Sequence, residues 1–244
     1  MPTIKLTLEY DGTSFAGWQR QLNQPTIQEA VETAIEGVTQ IKVPVAGAGR
    51  TDAGVHALGQ VASFRIDRDM TPYEWTRALN AHLPDTITVR AVDIVPDPFH
   101  ARHAAKGKLY EYRILNRPER PALNRQYCWH VYTPLDDAAM NRAALYLVGS
   151  HDFSSFETQP TENEDPICQL QRLAVFREGD RSRIEAYADR FLKQMVRSLV
   201  GTLVEVGSGR RPAASLGEIL AARDRSKAGR TAPPQGLFLL KVDY

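Results

Sequence analysis

Ile4, Leu6, Leu8 and Tyr10 alternate with polar residues, and that period of two predicts a strand with one buried face, ended by the turn pair Asp11-Gly12. Thr26 with Glu29 three residues on reads as a capping box, and the apolar spacing behind it predicts a helix to residue 38. Short strands are expected over 43–46 and 61–66, on either side of a glycine-rich stretch. Thr71, Pro72 and Glu74 form a second capping box with proline at the first helical position, opening a helix to about residue 83. Pro84-Asp85 stops it, and 86–95 reads as a strand.

Alternation returns over 108–115, with Leu109, Glu111 and Arg113 on one face and Tyr110, Tyr112 and Ile114 on the other. A helix is expected over 136–147, stopped by Gly149, and a proline-containing polar loop over 157–166. Two strands, 170–176 and 183–188, are joined by a turn at Gly179-Asp180. Leu192, Met195, Val196, Leu199, Val200 and Leu203 mark the apolar face of a helix over 192–206. Ser215 and Glu218 cap a short helix, and 236–244 reads as a last strand.

Strands and helices alternate irregularly and hairpin-like strand pairs dominate, which is an α+β pattern and not a doubly wound parallel one. The order strand, helix, strands, helix, strand occurs before residue 95 and again, loosely, after 105. That suggests two similar halves with mainly antiparallel sheets and flanking helices, and an active-site cleft between them. The polar stretch 95–106 is the candidate boundary, giving an N-terminal half over 1–100 and a C-terminal half over 101–244. The 244 residues, 43% hydrophobic and 24% charged, suit a globular protein with a sizeable core. No apolar run is long enough to span a bilayer, and the opening MPTIKLTLEYDG reads as a strand, not a secretory signal. Cys128 and Cys168 belong to no metal-ligand or redox pattern and read as reduced core thiols. These features point to the cytoplasm.

Net charge is only +1, from 30 Lys and Arg against 29 Asp and Glu, but the signs are segregated. Residues 101–125 carry Arg102, Lys106, Lys108, Arg113, Arg117, Arg120 and Arg125 against two glutamates, and 210–230 is similarly basic. Residues 151–168 hold Asp152, Glu157, Glu162, Glu164 and Asp165 with no Lys or Arg. Local sign decides contact with a polyanion, because phosphate contacts are short-range and screened. The same charges also read as a mixed, solvated surface.

The stretch GAGRTDAGVHALGQ, residues 47–60, sets one carboxylate, Asp52, between Arg50 and His56 among four glycines. It matches no dinucleotide fingerprint, P-loop, HExxH helix or serine-hydrolase elbow. A carboxylate can act as nucleophile or as acid and base. To stay ionised while partly desolvated it needs a nearby cation, and Arg50 can supply one if the chain is extended here. Small neighbours leave room for a planar substrate. The alternative is a tight turn with an incidental ion pair.

GRTDAGVHA resembles the catalytic motif of the tRNA pseudouridine synthase A family. The resemblance runs in order through the chain: EYDGTSFAGWQRQ, LNAHLPDTITV, DPFHARHAAKGKLYEYRI, HDFSSF, FLKQMVRSLVGTLVEVG and GLFLLKVDY. It implies the pseudouridine synthase fold and an isomerase that converts uridine to pseudouridine at positions 38, 39 and 40 of the tRNA anticodon stem-loop. It implies a homodimer working without metal or organic cofactor.

Residue by residue, Asp52 matches the family's catalytic aspartate, and whether it adds to C6, attacks C1′ or assists a glycal route stays open. Arg50 is implied as its electrostatic partner or as the group that displaces the target nucleotide. Tyr110 matches the active-site tyrosine, and Arg197 a basic position expected to pair with the carboxylate. From the residues alone, Tyr110 and Tyr112 read equally well as strand core, and Arg197 as a snorkelling surface arginine. A stacked uracil must be turned out before chemistry, at a cost of roughly a few kcal/mol. Arg20, Arg102, Lys106, Lys108 and the 210–230 segment are candidate phosphate contacts that offset it. His56 and Phe99 join the substrate-binding set, while Trp18 and His100 line the pocket or pack. At Cys168 many relatives carry Arg, which departs from the pattern.

Overall fold

The structure is a computed structural model that describes residues 1–159 and 165–244. Glu162 and Glu164 of the acidic stretch, and the middle of the expected 157–166 loop, lie outside the described residues. The chain divides into two compact units, Met1–Lys106 with Phe238–Tyr244, and Gly107–Leu237. The sequence reading put the last strand with the second half; it packs in the first unit.

The first unit is built on β1 (Thr3–Tyr10), whose Ile4, Leu6, Leu8 and Tyr10 are all buried as the alternation requires. Helix α1 (Ile27–Thr39) follows, then the two-residue β2 (Ala46–Gly47) and β3 (His56–Arg65). Helix α2 (Pro72–His82) and β4 (Ile87–Val95) complete the run. β1 lies antiparallel between β3 (Thr3 opposite Arg65) and β4 (Thr3 opposite Val95). β3 starts five residues before the expected 61–66. His56, Ala57 and Leu58 do not alternate with polar residues, but Tyr10 pairs with Ala57 and draws them into the sheet. The expected strand over 43–46 reduces to β2, where Ala46 pairs with Ser63.

The caps show which polar signals were local. At α2 both halves of the box form: Thr71 Oγ1 accepts from Glu74 N at 3.3 Å, and Glu74 accepts from Thr71 N at 2.8 Å. At α1 only the first half forms, because Thr26 Oγ1 accepts from Glu29 N while the Glu29 carboxylate turns to Arg20 at 3.2 Å.

The second unit starts with β5 (Gly107–Asn116) and the three-residue β6 (Trp129–Val131), which runs parallel to it. Then come α3 (Asp137–Ala144), β7 (Gly149–Asp152), β8 (Ile167–Glu178) and β9 (Arg181–Ala188). Helices α4 (Met195–Gly207) and α5 (Ser215–Ala222) precede β10 (Leu237–Asp243). β5, β9, β8 and β7 neighbour one another in that order, all antiparallel. β10, counted from Phe238 with the first unit, runs parallel to β3, with Phe238 opposite His56. The pairings are thus mostly antiparallel and the class is α+β.

α4 forms the core of the second unit, with Met195, Leu199, Val200 and Leu203 fully buried. It starts at Met195, not at residue 192, because Gln194 takes a left-handed conformation at φ 59°. Ser215 is no N-cap: it is already helical and its hydroxyl donates to the Pro212 carbonyl at 2.7 Å. Cys168 is a core thiol, and burial pushes its pKa up to about 11. Cys128 is only half-buried. Among the described residues, no helix is long and apolar enough to cross a membrane.

Candidate active site

In the first unit the glycine-rich stretch is extended where the carboxylate sits. Trp18 N donates to Thr51 O at 3.0 Å, and Gly17 and Asp52 form an antiparallel bridge. In extended backbone neighbouring side chains point to opposite sides. Thr51 is buried with its hydroxyl on Tyr10, while Arg50 on one side of it is exposed and Asp52 on the other is half-buried. After Asp52 the chain turns back, with Val55 N donating to Asp52 O at 3.1 Å and Gly54 at φ 77°.

The anchor is a buried polar network. Tyr10 Oη and Thr51 Oγ1 are 2.8 Å apart. Gln60 Nε2 reaches Tyr10 Oη at 3.4 Å and Gly49 O at 2.9 Å, while its Oε1 accepts from Val61 N at 3.1 Å. Burial pushes the Tyr10 hydroxyl up to about 12, against the lowering effect of the bonds to Thr51 and Gln60, so it stays protonated at neutral pH. Tyr10→Phe is expected to leave Thr51 without that partner. The expected cost is roughly 1–3 kcal/mol of stability and about tenfold in turnover from a loosened Asp52. Thermal unfolding and single-turnover rates of the same preparation check both.

His56 is only 1% exposed, stacked on Phe238 with ring centroids 4.7 Å apart. Its Nδ1 lies 3.1 Å from both Gly12 N and an Asp11 carboxylate oxygen. These contacts ask for opposite roles of Nδ1. The backbone N–H can only donate, so Nδ1 is the acceptor, and the same Asp11 oxygen accepts from Thr13 N at 2.9 Å. The ring that the sequence placed with substrate binding thus sits inside the unit and braces the Asp11-Gly12 turn. Trp18 also packs, its indole filling the space above Gly47.

Phe99 tilts against Tyr244 at 5.0 Å, and Tyr244 Oη donates to Ala101 O at 2.9 Å. Arg20 is held on α1 by Glu29 and Glu32, at 3.2 and 3.3 Å. Arg102 and Lys106 are exposed. His100 Nδ1 accepts from Arg102 N at 3.2 Å, and burial with the neighbouring His103 and Arg102 charges holds its pKa below the usual value.

In the second unit, Lys108, Tyr110 and Tyr112 lie on β5, and Lys108 is half-buried opposite Ala188 of β9. The two tyrosines, alike in the sequence, differ here. Tyr112 is fully buried and its hydroxyl donates to Pro233 O at 2.7 Å, so it is core. Tyr110 is buried as well, at 6% exposure, and its ring makes a T-shaped contact with Phe191 at 5.2 Å. Arg197, in the first turn of α4, is half-buried, and its Nε donates to Ala232 O at 2.8 Å. Ala232 N returns a bond to Arg197 O at 3.0 Å, so Arg197 is locked to the 230–232 segment through both side chain and backbone.

The basic segments sort by partner. Arg211 is taken by Glu205 at 2.9 Å, Arg223 by Asp152 at 3.0 Å and Arg117 by Asp180 at 3.0 Å. A residue's place in a basic stretch therefore did not reveal its use. Among the described residues, no group of three or more His, Cys, Asp or Glu stands close enough to hold a metal ion.

A family model described as tRNA pseudouridine synthase matches residues 7–103 and 143–244. Arg50, Asp52 and Arg197 fall inside those stretches, and Tyr110 falls between them. Proteins named tRNA pseudouridine synthase A are similar over the whole chain. That of Allorhizobium ampelinum is 47% identical over 247 residues, covering 100% of this chain and 95% of the relative. That of Myxococcus xanthus is 47% identical, covering 100% and 92%, and that of a Thermoanaerobacter species 45%, covering 100% of both. With both units spanned at this identity and the glycine-rich stretch inside the match, the chain belongs to the tRNA pseudouridine synthase family.

Proposed function

We propose that this chain converts uridine to pseudouridine at positions 38, 39 and 40 of the tRNA anticodon stem-loop, with Asp52 as its catalytic carboxylate. The observation that carries the reading is that Asp52, next in the chain to Arg50-Thr51, sits half-buried on a segment braced by the buried Thr51–Tyr10 contact and the Gly17 bridge. A binding surface for a polyanion has no use for that carboxylate, which weakens affinity unless it acts in chemistry.

The reaction breaks the bond from N1 to C1′ and forms one from C5 to C1′. C5 loses its hydrogen as a proton and N1 gains one, so no electrons enter or leave. A carboxylate suits this by attacking C6 or C1′, or by steadying the positive charge that develops on the ribose. Arg50 is assigned to keep Asp52 ionised or to displace the target nucleotide. Tyr110 is assigned to stack on the uracil and to take the C5 proton, and Arg197 the basic role that the resemblance implies. Arg102, Lys106 and Lys108 are proposed as phosphate contacts. The protein is proposed to work in the cytoplasm as a homodimer, with no cofactor.

The test uses unmodified tRNA carrying tritium at C5 of uridine. Release of tritium to water with pseudouridine at 38–40 supports the proposal. Free uracil would make the protein a nucleosidase instead, and binding with neither product would leave an RNA-binding protein.

A further inference from the structure

A shallow groove with a cavity volume of about 120 Å³ in the second unit lies between α4 and the end of β6 with the residues that follow it. Gly201, Val204 and Glu205 of α4 line it, with Ser208 at the helix's C-terminal cap. Those residues recur every three or four positions, so they share one side of the helix. The face begins one turn after Arg197 and runs away from it for about 10 Å.

Arg210 and Arg230 border this groove. Both are exposed, and among the described residues no carboxylate lies within ion-pair distance of either guanidinium, unlike Arg211, Arg223 and Arg117 of the same unit. Arg230 lies over the Trp129 ring at 4.7 Å, which fixes its direction. Its backbone is set against the helix at Gly201, where a Cβ would fall 1.7 Å from Arg230 O. Tyr132 lines the groove and is 66% exposed, unusual for an aromatic that has nothing to cover. The acidic group present, Glu205, is held by Arg211 through two bonds and also accepts from Arg230 N at 3.3 Å. The lining chemistry is therefore two exposed guanidiniums, an aromatic ring, the hydroxyls of Thr133 and Ser208, and the imidazole of His130, whose Nε2 is already bonded to Arg117 O at 2.8 Å. Guanidiniums beside an aromatic ring are the composition of a phosphate and base-stacking surface.

We infer that this groove takes part of the phosphodiester backbone of the tRNA substrate, with Arg210 and Arg230 holding phosphates and Tyr132 flanking them. The inference rests on the proposed tRNA substrate and adds where its backbone runs on the second unit. Guanidiniums suit the task because their planar fork meets phosphate oxygens in pairs.

The experiment measures affinity for an unmodified tRNA transcript across a salt series, for the wild type, Arg210→Glu, Arg230→Gln and Arg142→Glu. Arg142 is an exposed α3 residue that controls for net charge. Thermal unfolding of each variant confirms the fold, and Arg210→Glu, at an exposed side chain, keeps the test valid if Arg230→Gln perturbs the Trp129 contact. Arg210→Glu is expected to weaken binding roughly tenfold at about 0.1 M salt and to reduce the slope of log affinity against log salt by about one. Arg230→Gln is expected to act in the same direction, and Arg142→Glu within about twofold of wild type. Arg210→Glu binding as tightly as wild type with an unchanged slope overturns the groove assignment, as does an equal loss in Arg142→Glu. Tritium release by the wild type is scored separately. Release with unaffected Arg210→Glu binding overturns the groove and keeps the isomerase, whereas weakened binding without release does the reverse.

Discussion

Asp52→Asn is expected to stop tritium release from C5-labelled tRNA, lowering the single-turnover rate by at least ~10³-fold, as removal of a nucleophile or its equivalent does. The substitution keeps the side chain's size and leaves the Thr51 anchor intact, since that anchor is made by Tyr10, itself bonded by Gln60. Affinity for tRNA is expected to hold or improve, because a negative charge facing the phosphates is removed. A rate within tenfold of wild type would show that the carboxylate takes no part in the chemistry. A loss of binding together with rate would show that the substitution disturbed the loop instead.

Gly12→Ala is expected to damage the same centre from behind. A Cβ on Gly12 would lie 2.0 Å from the Val55 carbonyl oxygen and 2.7 Å from its carbon, both backbone atoms that cannot rotate away. Val55 closes the turn that begins at Asp52, and Gly12 N is the donor to His56. Relief of the clash must shift one segment by about an ångström, and a displacement of that size in a catalytic group costs on the order of 10²-fold in rate. Stability is expected to fall by a few kcal/mol, as for other overpacked sites. The comparison is Gly179→Asn, in a hairpin turn at φ 61° with open space around the Cβ position, where the loss should stay near 1 kcal/mol or below. Equal melting temperatures for the two variants would remove the argument for a braced loop.

The sequence made β1 and α2 legible because their signals are local: an unbroken period of two, and a capping box with proline behind Thr71. The first half of β3 was not, since His56 to Gln60 includes a glycine and breaks the alternation; pairing with β1 and β10 makes it a strand. β6 and β7 have three and four residues, too few for periodicity to register. At the candidate site, the motif pointed to Asp52, but the inward anchor at Thr51 depends on Tyr10, 41 residues away. Nothing in the strand LYEYR separates Tyr110 from Tyr112. What fixes Tyr112 as core is Pro233, 121 residues later, whose carbonyl accepts from the Tyr112 hydroxyl. Arg210 and Arg211 are neighbours with opposite fates for the same reason: Glu205 reaches one of them.

The return of β10 to the first unit also sets an order of events. A chain emerging amino end first can form β1, β3 and β4 after about 95 residues, but the ring that stacks on His56 belongs to Phe238 and the carbonyl that crowds Gly59 to Leu240. The whole second unit is synthesised in between. The half that bears Asp52 is therefore begun first and closed last, and its loop gains its final brace only when the polymer has grown past residue 240.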